Sequence, residues 1–202
     1  MESESTLLDA ARKMDEEALI KIFDLYSSAL FKYALRLCGD PVRADHLVGD
    51  VFAKLLDQLA AGNGPAANLR SYLYQAAYHH LIDETRISRR KIPLEMATWL
   101  RQDAGSSSLS LEEQVLYKQI LQAIGHDLTV DQRHVIVLRF LEGFNLAETA
   151  LIMGKNVNHV KVLQNRAITT LRTALESTKV KKAAPSRTKV AAFSNALGIK
   201  LP

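Results

Sequence analysis

Apolar residues recur at three- and four-residue steps along nearly the whole chain, and no four-residue stretch alternates with the β-branched or aromatic bias of a strand. That spacing predicts an all-α protein. Leu19, Ile22, Phe23, Tyr26, Leu30, Tyr33, Ala34 and Leu37 line one face of a first helix. Asp40 then Pro41 opens the next, because an aspartate accepts from the orphan amides of a helix start and proline fits the first helical position. Leu47, Val48, Val51, Phe52, Leu55, Leu56 and Leu59 form its apolar stripe. AAGNGPAAN over 60–68 interrupts the pattern, and Asn68 is placed to cap a helix running from Leu69 to about Arg90.

Residues 92–110, IPLEMATWLRQDAGSSSLS, turn to Pro, Gly and a serine run, the composition of a flexible connector. Nineteen residues of this kind reach at most roughly 60 Å. Three capping boxes follow: Ser110 with Glu113, Thr129 with Gln132, and Asn145 with Glu148. Gly143 and Gly154 fall where left-handed helix stops belong, and Asn156 caps a last helix to about Glu176. The expected organisation is an N-terminal extension 1–13, a helical domain 14–91, a linker 92–110, a four-helix domain 111–176 and a tail 177–202.

Charge follows the same divisions. Residues 1–65 hold 7 basic against 11 acidic side chains, 66–101 hold 6 against 3, and 102–127 hold 1 against 4. Residues 128–176 hold 6 against 4, and the tail holds 6 with no acid. The basic blocks are where a polyanion could dock, although a charge run is usually just a solvated face. The tail is predicted to add nonspecific DNA affinity or to dock back on the protein, against the alternative of a solvated tail.

Several classes drop out. No apolar run approaches the roughly 18 residues of a membrane span, and the start is acidic where a secretory signal would be basic then apolar. One cysteine, Cys38, leaves no intrachain disulfide and no thiolate-rich metal site, which fits a reducing cytosol. His46 with Asp50 gives only two ligands at helical spacing, and His79 and His80 face different ways, so neither is read as a metal site. No nucleophile and base pair, glycine-rich phosphate loop or dinucleotide fingerprint is found, so no catalytic residue and no cofactor is expected.

Residues 145–153, the turn Gly154-Lys155-Asn156 and the helix after it have the layout of a helix-turn-helix. In the second helix Val157, Val160, Leu163, Ala167 and Leu171 share one stripe and are expected to pack inward. Asn158, His159, Lys161, Val162, Asn165, Arg166 and Thr169 then face out, with residue types that match base edges and phosphates. An ordinary helical hairpin with a polar outer face has the same pattern. The helix from Leu69 carries Tyr72, Tyr74, Tyr78, His79 and His80 and ends in Arg86, Arg89, Arg90 and Lys91. Rings beside cations suit unpaired nucleic acid, although core tyrosines with wet hydroxyls look alike in sequence.

Leu37-Cys38-Gly39-Asp40-Pro41 with Ala44-Asp45-His46-Leu47-Val48-Gly49-Asp50-Val51-Phe52 resembles the polymerase-binding helix in region 2 of extracytoplasmic-function sigma factors. Leu69-Arg70-Ser71-Tyr72-Leu73-Tyr74 through Leu81-Ile82-Asp83, with the basic run beyond, resembles the part of region 2 that melts the minus-ten element. Leu128-Thr129, Gln132-Arg133, Val137-Leu138-Arg139, Leu141-Glu142-Gly143, Glu148-Thr149-Ala150, Val160-Lys161, Arg166-Ala167 and Leu171-Arg172 resemble region 4. The likeness covers about 14–91 and 111–176.

The resemblance implies a cytoplasmic, non-enzymatic transcription initiation subunit. Its implied partners are core RNA polymerase and promoter DNA, with an anti-sigma factor as a candidate third. Asp45, Leu47, Val48, Asp50, Val51 and Phe52 would meet the polymerase. Tyr74, Tyr78, His79, Arg86, Arg89, Arg90 and Lys91 would meet the minus-ten DNA. Arg139, Asn158, His159, Lys161, Asn165 and Arg166 would meet the minus-thirty-five element. The chain departs from the family pattern at Tyr78-His79, where Arg-Asn is usual, at Gly49, where Gln is common, and at Val162-Leu163, where Ser and Arg usually follow the Lys. The competing readings are a stand-alone helix-turn-helix regulator that binds duplex DNA without polymerase, and a helical adaptor that binds only proteins.

Overall fold

The computed structural model describes residues 4–65, 67–87, 120 and 123–180, with the backbone alone for 85–87 and 176–180. Every regular element among them is helical. In chain order these are α1 (Glu4–Ala11), α2 (Glu16–Cys38), α3 (Pro41–Ala60), α4 (Leu69–Ile87), α5 (Val130–Ile136), α6 (Leu146–Ile152) and α7 (Val157–Val180). The chain divides into two compact units, one on Met1–Arg90 and one on the bulk of the residues after it. The linker 92–110, the Ser110–Glu113 box and the tail from 181 lie outside the described residues.

In the first unit α2, α3 and α4 pack on one another and α1 packs on α2. Asp15 caps α2 by accepting from the Ala18 amide at 2.9 Å. As its spacing predicts, Asp40 caps α3, its Oδ1 accepting from Val42 N at 3.0 Å and Arg43 N at 3.3 Å. Ile22, Leu30, Tyr33, Leu47, Leu55, Leu73 and Tyr74 fill the core. Phe23 and Leu56, expected inside, are exposed at the edges of their stripes. The Phe23 ring instead lies over Phe52 at 4.8 Å, covering the core from outside.

Residues placed in an N-terminal extension by sequence form α1, with Leu8 and Ala11 buried against the bundle. The helix also supplies a cap that Asn68 does not. Asn68 has a left-handed backbone (φ 55), unlike the extended conformation of an N-cap residue. Glu4 Oε1 accepts from the Leu69 amide at 2.8 Å in its place.

The core of the second unit brings together Ile120, Ala123, Ile124, Leu128, Ile136, Ala167, Leu171 and Leu175. Thr129 opens α5 with both hydrogen bonds of its predicted box: its amide donates to Gln132 Oε1 at 2.9 Å, and its Oγ1 accepts from Gln132 N at 3.3 Å. α5 then widens into a π-helical turn, Val137–Leu141, in which Glu142 N donates to Val137 O at 3.0 Å. Gly143 (φ 76) ends it in the left-handed conformation open to a residue without Cβ.

Candidate nucleic-acid interface

The turn between α6 and α7 sets the exposed face of α7. Asn145 and Glu148 close a reciprocal box at the start of α6, at 2.7 and 2.9 Å. The buried Thr149 hydroxyl donates to Asn145 O at 2.8 Å. Gly154 (φ 60) reverses the chain, and the Lys155 amide returns to Ala150 O at 2.9 Å. Asn156 Oδ1 then accepts from His159 N at 2.7 Å and opens α7. Lys155 Nζ reaches Asp131 at 3.2 Å, tying the turn to the start of α5.

Val160, Leu163, Ala167 and Leu171 are buried as expected, while Val157, in the first turn of α7, is exposed. Asn158, His159, Lys161, Val162, Asn165, Arg166 and Thr169 all lie on the exposed side. Arg139 was also expected at the minus-thirty-five element. It is half-buried, its Nε donates to Gln164 Oε1 at 3.0 Å, and its Nη1 donates to Phe144 O. Two of its donors are thus held inside the unit, where they brace α7 against the loop before α6.

His134 sits in the interior of this unit. Burial, with smaller contributions from Arg133 and Lys155, lowers its pKa to about 3. Burial also lowers that of Arg133.

In the first unit the aromatic residues divide differently from the sequence expectation. Tyr74 and Tyr78, expected to meet unpaired bases, are buried. Tyr74 packs on Tyr33 with ring centroids 5.1 Å apart, and the Arg70 guanidinium lies 5.6 Å from its ring centre. Neither ring can receive a base without opening the bundle. His79 is exposed, and Tyr72, seven positions earlier and so on the same side of α4, is half-buried, with its hydroxyl pKa raised by burial. Tyr72 was not among the residues assigned to the minus-ten DNA. Arg86 lies on α4 with its side chain outside the description, and Arg89, Arg90 and Lys91 lie outside the described residues.

On α3 the apolar residues assigned to a partner are in the core. Leu47, Val48, Val51 and Phe52 are all buried, because the same stripe has to hold α3 to α2 and α4. Asp45, His46, Gly49 and Asp50 form the outward side. Asp50 approaches His80 Nδ1 at 3.6 Å, and Arg43 joins Glu84 at 2.7 Å, so α3 and α4 are linked by two pairs. A Cβ built at Gly49 meets nothing within 4 Å. Gly49→Ala is therefore expected to raise the unfolding free energy by about 0.5 to 1 kcal/mol, read as a higher urea midpoint with an unchanged slope.

Residues 22–91 match the family description Sigma-70 region 2, and residues 126–173 match Sigma-70, region 4. BldN of Streptomyces coelicolor, an ECF RNA polymerase sigma factor, is 30% identical over 169 residues. This chain is an ECF member of the sigma-70 family. That alignment takes in 82% of this chain and 63% of BldN. The ECF sigma factor SigX of Bacillus subtilis is 27% identical over 166 residues, 80% of this chain and 85% of SigX. Among solved structures, CnrH in complex with the cytosolic domain of CnrY matches 87% of this chain and 99% of CnrH, with a TM-score of 0.65 and 19% identity. The sigma factor RpoE of Bartonella quintana, in complex with the anti-sigma factor NepR, matches 77% of this chain and 95% of RpoE, with a TM-score of 0.56 and 20% identity. At these identities the structural likeness shows the sigma-factor fold. No helix among the described residues is long and apolar enough to cross a membrane.

Proposed function

We propose that this ECF sigma factor joins core RNA polymerase in the cytoplasm, directs it to promoters and nucleates DNA opening without catalysing a reaction itself. The observation that supports this best is the α6–α7 hairpin. The Gly154 stop and the Asn156 cap hold its turn, and its second helix turns a face rich in Asn, His, Lys and Arg away from the core. Such a face, on a chain that also carries a region 2 unit, fits a promoter reader better than a stand-alone regulator.

In this reading α7 enters the major groove of the minus-thirty-five element through Asn158, His159, Lys161, Asn165 and Arg166. Arg139 acts as a positioning residue for that helix. Tyr72 and His79 on α4 meet unpaired bases of the minus-ten element, while Arg86, Arg89, Arg90 and Lys91 hold phosphates. Asp45 and Asp50 on α3 face the polymerase, and the buried Leu47, Val48, Val51 and Phe52 keep that helix in place. The complex of RpoE with the anti-sigma factor NepR supports an anti-sigma factor as a third partner.

Run-off transcription with purified core polymerase tests the proposal. Transcripts starting at one position only when the protein is added are the expected result. A dimer that binds a palindromic duplex and leaves polymerase unchanged would establish the regulator instead. Lys161→Ala and Arg166→Ala are each expected to weaken promoter use by about 1 to 3 kcal/mol where they contact bases. A phosphate contact would show instead as a salt slope reduced by about 1.

A further inference from the structure

The outward face of α7 has an apolar residue at its centre. At about 100° per residue, Val162 points about 180° away from buried Leu171 and about 160° away from buried Val160. It is 45% exposed. Asn158 and Arg166, one turn before and one turn after, flank it about 40° to either side, and both are exposed. These three residues lie within the first three turns or so of α7, the part of a recognition helix that reaches base edges.

A single exposed valine is ordinary on a helix surface. At the apex of a base-reading face its position is informative, because the groove floor offers mainly hydrogen-bonding groups. A valine there can satisfy none of them, and it displaces a side chain that could. The one apolar group on the major-groove edges of the base pairs is the 5-methyl of thymine.

We infer that Val162 reads the methyl group of one thymine in the upstream promoter element. This assignment rests on the reading of α7 as the promoter-reading helix and adds the ligand chemistry of its central position. Packing the isopropyl group on the methyl removes both from water, which is worth about fourfold in promoter use for one methyl group. Asn158 and Arg166 remain free to address the neighbouring bases by hydrogen bonding.

The test uses the full chain with core polymerase. A functional promoter is first selected by transcription from templates randomised across the upstream element. Each thymine in that element is then replaced singly by deoxyuridine, which removes the methyl and keeps every hydrogen-bonding group. One replacement is expected to lower transcription by about fourfold for the wild-type protein. Val162→Ala is expected to transcribe the thymine and deoxyuridine templates equally at that position. Normal initiation that is indifferent to every replacement would overturn the methyl contact and leave the sigma-factor reading intact. An equal thymine preference in Val162→Ala would do the same. Failure to select any template on which the protein starts transcription would overturn the sigma-factor reading, and the methyl contact with it.

Discussion

Replacing Tyr74 with alanine is expected to lower the unfolding free energy of the first unit by about 3 to 5 kcal/mol, the range for removing a large buried aromatic side chain. Tyr74 is wholly buried, its ring meets Tyr33, and Arg70 lies across it, so truncation leaves a cavity where α2 and α4 join. Against a typical total of about 5 to 15 kcal/mol, that is a large fraction of the stability. Tyr72→Ala is expected to cost less than about 1.5 kcal/mol, since its ring is half out of the core, and to reduce promoter opening instead. Urea unfolding of both variants, alongside permanganate detection of open promoter, separates the roles. If Tyr74→Ala unfolded at the wild-type urea concentration yet failed to open DNA, Tyr74 would be a base contact after all.

Acid is expected to destabilise the second unit through His134. In the folded chain its pKa is about 3, whereas in the unfolded chain it titrates near 6.5. Between those values the unfolded state binds the extra proton, so stability is fully present above about pH 6.5 and falls as the pH drops toward 3. The loss amounts to a few kcal/mol, on the order of one per pH unit between those values. Amide hydrogen exchange in α5 and α7, compared at pH 7 and pH 5, reads the effect before most carboxylates titrate. His134→Met is expected to remove most of the pH slope, whatever it does to stability at neutral pH. A wild-type slope that survived in His134→Met would place the titration elsewhere.

Features set by neighbouring residues were legible in the sequence. Asp40, the Thr129–Gln132 and Asn145–Glu148 boxes, and Asn156 all cap as their spacing predicts, because donor and acceptor lie within one helical turn. The inward stripe Val160, Leu163, Ala167, Leu171 was legible for the same reason, and it exposed the polar face of α7. The aromatic helix was not, since α4 has rings on more than one side and tertiary packing alone decides which side is covered. Tyr74 and Tyr78 went into the core and left Tyr72 and His79 outside. Phe52 and its neighbours on α3 resemble a docking surface in sequence because a core-facing stripe and a partner-facing stripe have the same composition. The bond from Arg139 to Gln164 was not legible, since it joins residues 25 apart in the chain.

The bond between Glu4 and the Leu69 amide joins positions 65 residues apart. The first turn of α4 is thus completed by a long-range contact that closes a large chain loop, and loop closure of that size is an entropically late event. As this unit folds, α4 should close its opening turn only after the front of the polypeptide has come home. A nascent chain would in that case complete α3, whose cap is local, before α4.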